Sequence, residues 1–241
     1  MKTPAFRHMG GKARLRRWLV SLFPKTGYTY IEPFAGKGNV FYLAVQMLIY
    51  DYYILNDLDN FLYILKQYDC HLLPEKINKL NFAYWKKKNN KTSKILEPRI
   101  TFAGKGYQAG FSGSSGTHVG YNKEKYVTNC KIATQLLQKA NIYRCDYLNL
   151  LLSLNITKDH FIYFDPPYHN TKTCYNNINH EELIKLINKL NCKWALSGYE
   201  NELYEKKLKY KNKYIFERNS EIKSSNKGKR ISVNEVLWTN Y

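Results

Sequence analysis

The feature of this sequence that most constrains its fold is an apolar run that ends in two consecutive prolines. Residues 161–164 read Phe-Ile-Tyr-Phe, and residues 165–168 read Asp-Pro-Pro-Tyr. Four apolar residues in a row predict a buried strand, which must stop here because proline fixes φ and has no amide hydrogen. The strand therefore presents a carboxylate and a phenol at its carboxyl end, where open α/β sheets bind ligands. Taken alone, an Asp-Pro pair is more typical of an ordinary turn, so a site here needs support from elsewhere in the chain.

The first third of the chain predicts half of a nucleotide-binding unit. Residues 28–31 read as a strand, and residues 41–48 are apolar enough for a helix that packs against a sheet. The turn between them contains Gly36 and Gly38. Glycines in such a turn let the backbone approach a ligand that rests against the helix N-terminus.

An acidic residue and a missing glycine narrow the choice of nucleotide. Asp57 follows a second predicted strand at 53–55, about 20 residues beyond the turn, where an acid meets ribose hydroxyls in such folds. The dinucleotide fingerprint requires a third glycine, and Phe41 occupies that position. This argues against NAD and favours a cofactor with adenosine but no pyrophosphate, such as S-adenosylmethionine.

The charge balance predicts a polyanionic partner. Lysine and arginine total 38 against 19 acidic residues, for a formal net charge of +19. Nucleic acid is the first candidate, although a lysine-rich surface of a protein from an AT-rich genome is an open alternative. The 22 tyrosines and 11 phenylalanines include candidates for stacking on unpaired bases.

Other compositional features exclude several classes. The five cysteines form no C-x-x-C pair, so no metal site is expected. No apolar run approaches the roughly 20 residues that a membrane span requires, and the basic N-terminal residues precede no signal-peptide core. A cytoplasmic protein is expected.

Residues 9–12, Met-Gly-Gly-Lys, precede a predicted helix over residues 13–23 with one apolar face. Glycine amides and a lysine at a helix start suit an anion. The segment is not a Walker A loop, and a plain capping turn is an equal alternative.

Three segments together resemble one family. Residues 32–38 resemble the F-x-G-x-G motif of S-adenosylmethionine-dependent methyltransferases, and residues 165–168 look like the D-P-P-Y motif of their amino-methylating branch. With residues 9–12 first and a long insert before D-P-P-Y, the order is similar to bacterial and phage DNA adenine methylases of the Dam-like D12 class. Residues 196–200 and 235–238 extend the likeness.

The resemblance implies an α/β fold, with the Rossmann-like mixed sheet of these methyltransferases. Residues 1–58 and 142–241 would form the catalytic domain, and 59–141 an inserted target-recognition region. The expected activity is methyl transfer from S-adenosylmethionine to the N6 amino group of a flipped-out adenine in double-stranded DNA, by a monomer. An RNA adenine or other amino methyltransferase, or a catalytically silent DNA-binding protein of the same fold, are the alternatives.

The resemblance also assigns residues. Those expected at the cofactor are Gly11, Lys12, Phe34, Gly36, Gly38, Asp57, Asp146 and Asp165. Those expected at the substrate amine are Asp165, Pro166, Pro167 and Tyr168. For Asp146, which would hold the adenine amino group of the cofactor, a solvated helix cap is the alternative.

The predicted insert contains a glycine- and serine-rich stretch at residues 104–123, read as a loop or hairpin that orders on DNA. Candidates for contact with bases or phosphates are Arg99, Lys105, Gln108, Ser112, His118 and Asn122. The basic run at residues 86–91 is read as a solvated loop or a phosphate contact.

The last third of the chain predicts a helix over residues 180–190 and a strand over residues 193–197. A basic tail follows at 206–230. The alternating run at 231–238 is read as an antiparallel strand at the sheet edge.

Overall fold

The protein is described here from a computed structural model, which covers residues 2–8, 10–112, 121–169, 178–217 and 234–241. The strands are β1 (Thr26–Glu32), β2 (Ile49–Asn56), β3 (Ala140–Tyr143), β4 (His160–Phe164), β5 (Lys193–Tyr199), β6 (Asn212–Phe216) and β7 (Glu235–Thr239). The helices are α1 (Arg16–Leu22), α2 (Phe41–Met47), α3 (Phe61–Lys66), α4 (Lys79–Lys88), α5 (Lys91–Ile100), α6 (Lys123–Leu137), α7 (Tyr147–Ser153), α8 (His180–Ile187) and α9 (Glu202–Lys207).

The strands form one mixed sheet in the order β3-β2-β1-β4-β5-β7-β6. The first five of these strands are parallel to one another, whereas β7 is antiparallel to both β5 and β6. The chain moves outward from β1 through β2 to β3 and then returns to place β4 on the other side of β1. This confirms the predicted α/β class, and it puts a topological switch point between β1 and β4.

Helices cover both faces of the sheet because the central strands alternate their buried side chains between two hydrophobic clusters. Tyr30 and Phe161 contribute to one cluster, while their neighbours Ile31 and Ile162 contribute to the other. The first cluster holds side chains of α1, α2, α3 and α6, and the second holds side chains of α7, α8 and α9. With period-2 alternation, a strand buried on both faces reads as a continuous apolar run, as residues 161–164 do.

The predicted insert at 59–141 contributes to this core. Phe61 and Leu65 of α3, and Cys130 and Leu137 of α6, belong to the same buried cluster as α1 and α2. The division of the chain at residues 59 and 141 stays a prediction.

Two predictions about the C-terminal part need correction. The strand predicted at 231–238 is antiparallel as expected, but it is not the sheet edge, because β6 pairs with its outer side. All five residues of β7 are buried, as expected for an interior strand, whereas β6 is only half-buried. The strand β6 lies inside the segment read as a basic tail, where its flanking lysines hid a short apolar pattern; residues 231–233 lie outside the described ranges.

The basic run at 86–91 is also not a loop. Lys86, Lys87 and Lys88 form the exposed last turn of α4, and Lys91 begins α5. Asn89, in the left-handed region with φ 41°, separates the two helices. At the glycine- and serine-rich stretch, Phe102–Gly104 and Tyr107–Ala109 form short 3-10 helices, and one antiparallel bridge pairs Thr101 with Phe111. Residues 113–120 lie outside the described ranges.

In the part of the chain that the structure describes, no helix is long and apolar enough to cross a membrane. Within the same ranges, no cluster of three or more histidine, cysteine or acidic side chains is placed to hold a metal ion.

Candidate active site

The candidate site lies where β1 and β4 end side by side. Ile31 pairs with Ile162 in parallel register, so Glu32 and Asp165 leave the sheet at the same edge. The glycine turn follows β1, and the Asp-Pro-Pro-Tyr segment follows β4. The two motifs are 129 positions apart from Gly36 to Asp165 in sequence, and the switch point brings them to one edge.

The glycine turn requires its two glycines. Gly36 and Gly38 have φ values of +55° and +74°, in the left-handed region that favours glycine. A Cβ atom on Gly38 would also lie 3.0 Å from the Tyr42 ring and 3.1 Å from Leu62. The backbone therefore turns sharply here, and the turn is closed by the Gly38 amide, which donates to the Ala35 carbonyl oxygen at 2.8 Å.

Asp57 holds this turn in place. Its Oδ2 atom accepts a hydrogen bond from the Gly36 amide at 2.7 Å, and its Oδ1 atom accepts one from the Asp59 amide at 2.9 Å. Burial raises the pKa of Asp57, and these two bonds oppose the rise. A carboxylate has about four lone-pair positions, so each oxygen of Asp57 retains capacity for a further donor. The predicted role at ribose hydroxyls stays a prediction.

A chain of ion pairs links the same turn to the predicted insert. Asp59 Oδ1 lies 3.3 Å from the buried Lys37 Nζ, and Asp59 Oδ2 lies 2.9 Å from Lys94 Nζ in α5. Burial opposes ionisation of Asp59, but the two lysines hold its pKa at about 2. Lys37 Nζ also lies 4.4 Å from the centroid of the Phe61 ring, which belongs to α3.

Phe34 and Asp146 lie toward the ends of β1 and β3. The Phe34 ring packs 5.0 Å from the Tyr147 ring, at the start of α7. Asp146 is exposed and caps α7, because its Oδ1 accepts a hydrogen bond from the Leu148 amide at 2.8 Å. The helix-cap alternative is thus confirmed for Asp146, and its contact with a cofactor stays a prediction.

Asp165 is held by one of its two carboxylate oxygens. Lys12 Nζ lies 2.9 Å from Oδ1, and the Ser197 hydroxyl donates to the same Oδ1 at 2.7 Å. Ser197 Oγ is in turn 3.0 Å from the Tyr163 hydroxyl, which donates to it when Ser197 donates to Asp165. Lys12, Ser197 and Tyr163 are buried, whereas Asp165 is 18% exposed. Within the described ranges Oδ2 makes no such bond, so this oxygen is the one available to a ligand.

Tyr168 is fixed on three sides. Its hydroxyl donates to Glu235 Oε2 at 2.6 Å, and its ring centroid lies 4.6 Å from that of Tyr199 in an edge-to-face arrangement. Lys12 Nζ lies over the Tyr168 ring, 4.6 Å from its centroid. Burial, Asp165 and Glu235 raise the pKa of Tyr168 well above its ordinary value, so the phenol is neutral and acts as a donor.

Glu32 is a second carboxyl group at this edge. It is 2% exposed and accepts a hydrogen bond from the Tyr30 hydroxyl at 2.5 Å. Burial raises the pKa of Glu32 to about 8; the charge of Asp165 adds to the rise, and the Tyr30 bond opposes it. At neutral pH Glu32 is therefore mostly protonated.

The structure brings Lys12 into contact with both Asp165 and Tyr168, whereas the described residues predicted to contact nucleic acid have other surroundings. Ser112 accepts a hydrogen bond from Arg7, and Asn122 caps α6. Arg99 lies in α5, Lys105 and Gln108 are exposed, and His118 lies outside the described residues.

Four polar residues at the site were not assigned a role from the sequence: Glu32, Tyr163, Ser197 and Glu235. They lie on β1, β4, β5 and β7 respectively, so the available signal was a polar side chain within or at the end of an apolar strand. That signal is weak without the strand order, since β7 follows β4 by 70 residues in the chain.

Comparisons with known proteins agree with the motif assignment. The model of the D12 class N6 adenine-specific DNA methyltransferase family matches residues 8–217. The modification methylase StsI of Streptococcus sanguinis is 26% identical over 289 aligned positions, which include 100% of this chain and 43% of that protein. The chain therefore spans less than half the length of this curated relative.

Matches among solved structures have low sequence identity. A conserved hypothetical protein of Streptococcus pyogenes is 11% identical, with a TM-score of 0.41 over 94% of this chain and 96% of that chain. The putative methyltransferase yhhF of Escherichia coli is 12% identical, with a TM-score of 0.42 over 100% of this chain and 90% of that chain. The family match does not depend on these structures and covers most of the chain. The resemblance found in the sequence is confirmed, and the chain belongs to the D12 class N6 adenine-specific DNA methyltransferase family.

Proposed function

We propose that this chain transfers a methyl group from S-adenosylmethionine to the N6 amino group of an adenine flipped out of double-stranded DNA. The observation that carries the proposal is the Asp165 carboxylate, which is held through Oδ1 by Lys12 and Ser197 and leaves Oδ2 for a ligand. It lies at the switch point of the sheet, beside a glycine turn suited to a nucleotide. Membership of an adenine-specific methyltransferase family supports the same reaction.

The residues near the glycine turn fit S-adenosylmethionine by their chemistry. The cofactor has ribose hydroxyls and an adenine amino group, which are donors, and Asp57 and Asp146 supply acceptors after β2 and β3. Gly36 and Gly38 would let the backbone approach the cofactor closely, and Phe34 would provide an apolar wall for it. When bound, the cofactor supplies an electrophilic methyl group on a sulfonium. Gly11 and Lys12 are proposed at its amino-acid end.

The protein residues act on the substrate amine. The N6 lone pair of adenine is delocalised into the ring, so attack requires acceptors for both amino hydrogens that favour a more tetrahedral nitrogen. Asp165 Oδ2 and the Pro166 carbonyl oxygen are the proposed acceptors. Pro166 and Pro167 restrict the backbone, so the two acceptors are preorganised, which is how electrostatic catalysis lowers a barrier.

Asp165 does not have to be a strong base in this scheme. Methyl transfer makes the nitrogen acidic, so its surplus proton leaves after the methyl group has arrived. Lys12 and Ser197 both contact Oδ1 of Asp165 and so restrict its rotation. Orientation of the carboxylate is therefore their proposed contribution.

Tyr168 is the proposed stacking partner of the flipped base. Its hydroxyl is bound to Glu235 and one ring face lies under Lys12, so the ring has little freedom. A fixed aromatic ring next to the acceptors would stack on the base without losing further side-chain entropy. We also propose that residues 59–141 read the recognition sequence. The name of the relative, a modification methylase, supports a role in a restriction–modification system.

The test is the Asp165→Ala variant, with methyl transfer to duplex DNA measured from labelled cofactor. Transfer should fall by at least about 100-fold, as for loss of one preorganised electrostatic group, while calorimetry finds cofactor affinity within a few-fold of the parent. Asp159→Ala, an exposed carboxylate just before β4, is the matched control and should keep full activity. Unchanged activity in Asp165→Ala would refute the proposed role.

The same assay separates the alternatives. Methyl transfer to total RNA but not to duplex DNA would establish an RNA methyltransferase. A parent protein that binds duplex DNA but no cofactor would be a silent DNA-binding protein of this fold. Sequencing of methylated adenines in DNA from cells that express the chain would then give the recognition site.

A further inference from the structure

A basic cleft of about 360 Å³ lies between the N-terminal segment, the end of α5 and the first turns of α6. Three of its lining side chains are cations: Arg7, Arg99 and Lys125. Among the described residues that line it, none is acidic. We call it the Arg7 cleft.

The two residues before Arg7 are each held by a reciprocal pair of hydrogen bonds with an asparagine side chain. The Ala5 amide donates to Asn129 Oδ1 at 3.1 Å, and Asn129 Nδ2 donates back to the Ala5 carbonyl at 3.3 Å. The Phe6 amide donates to Asn39 Oδ1 at 2.9 Å, and Asn39 Nδ2 returns a bond to the Phe6 carbonyl at 2.8 Å. Asn39 belongs to the glycine turn, so the cleft and the candidate cofactor site share a rigid connection.

The Arg7 guanidinium is held by neutral groups. Its Nη1 donates to Ser112 Oγ at 3.2 Å, and its Nη2 donates to the Arg99 carbonyl oxygen. Burial lowers the pKa of Arg7, and the nearby positive charge of Arg99 lowers it further. A bound anion would be attracted to this positive charge.

Lys125 adds a third cation at the exposed part of the cleft. In the described ranges, neither Lys125 nor Arg7 has a carboxylate partner within ion-pair distance. By contrast, Lys123 on the same helix pairs with Glu75. The charge of these two side chains is thus available to a ligand.

We propose that the Arg7 cleft binds a phosphodiester group of the DNA duplex while the target adenine occupies the active site. The inference rests on the proposed function, and it adds Arg7 and Lys125 to the residues predicted to contact DNA. A phosphodiester fits better than a base edge because the cleft offers net positive charge, and Arg7 has already used two donors on neutral groups.

The test measures the salt dependence of DNA binding by the full chain with S-adenosylhomocysteine bound. Fluorescence anisotropy gives Kd for two duplexes of unrelated sequence at several salt concentrations. Each phosphate contact contributes about 0.9 to the slope of log K against log salt. Lys125→Gln should reduce this slope by about 1. It should weaken binding to both duplexes by the same several-fold factor and leave the affinity for cofactor unchanged.

Lys131→Gln is the matched control, since Lys131 is exposed on the same helix and does not line the cleft. Arg7→Gln should reproduce the effect of Lys125→Gln, and the double variant should add to it; thermal unfolding checks that Arg7→Gln still folds. If Arg7→Gln does not fold, Lys125→Gln alone still tests the inference, because Lys125 is exposed.

Three results would overturn the inference. Equal slopes for Lys125→Gln and Lys131→Gln would exclude a phosphate contact, with the proposed function intact. A change in preference between the two duplexes would instead make the cleft a base reader. A parent protein that binds neither duplex would remove the cleft proposal together with DNA as the substrate.

Discussion

Replacing Glu32 with glutamine should abolish a pH dependence of stability that the buried carboxyl imposes. Glu32 is 2% exposed, and its pKa in the folded protein is about 8 against an ordinary value of 4.5. Between these two values the folded state keeps a proton that the unfolded chain releases. The free energy of unfolding of the parent protein therefore falls as pH rises through this window.

The magnitude follows from the two pKa values. One pKa unit corresponds to about 1.4 kcal/mol, so by neutral pH the ionisable Glu32 costs about 3 kcal/mol of stability. The glutamine side chain of the variant does not ionise, and its carbonyl oxygen can still accept the Tyr30 hydroxyl hydrogen. The variant should therefore gain about 3 kcal/mol over the parent between about pH 5 and about pH 8.

Urea unfolding at several pH values within that window measures the difference. Glu124→Gln, an exposed substitution on α6 with the same change of charge, is the control and should shift the curve little. If the difference in unfolding free energy between Glu32→Gln and the parent stays constant across the window, Glu32 ionises as in the unfolded chain, and the inference of a neutral carboxyl beside Asp165 is refuted.

Three further substitutions test the site. Ser197→Ala removes a donor to Asp165 and should lower kcat by about 10-fold with the KM for cofactor unchanged; Ser197→Thr keeps a hydroxyl and should recover activity, and equal rates for both variants would contradict the role. Gly38→Ala forces φ +74° on alanine and a 3.0 Å contact with a tyrosine ring, so urea unfolding should show a loss of about 1–3 kcal/mol. Asp59→Asn leaves the buried Lys37 without its carboxylate partner and should lower the free energy of unfolding by about 2 kcal/mol at neutral pH. The loss is smaller than for a fully buried pair because Asp59 is one-third exposed. Since the pKa of Asp59 is about 2, this last difference should vanish as pH falls through that value, and a difference that persists would exclude the ion pair as its cause.

The central strands and both motifs could be predicted from local sequence. The strand predicted at 161–164 is β4, His160–Phe164, and the strand predicted at 28–31 is the core of β1, Thr26–Glu32. These predictions succeed because strands buried on both faces need continuous apolar residues, and because prolines and glycines act on the backbone where they stand.

Edge elements were harder to predict. The strand β6 reads Asn-Lys-Tyr-Ile-Phe, and only part of each face is buried. An edge strand requires fewer apolar residues, and lysines there are common because they discourage pairing with other chains. The apolar pattern of β6 is therefore too short to stand out among the surrounding lysines. For this reason the sequence predicts β7, and not β6, as the edge strand.

By itself the sequence determined which residues are available to the chemistry: a carboxylate before two prolines, two glycines after a strand, and a lysine after two more glycines. Those features depend on backbone restrictions that act within a few residues. Tertiary structure alone decided the partners of each group, since Ser197 reaches Asp165 across 32 positions and Glu235 reaches Tyr168 across 67. Hydrogen bonds of this kind depend on which strands are neighbours, and strand order is fixed by packing of the whole sheet and its helices, so it cannot be read from any one segment.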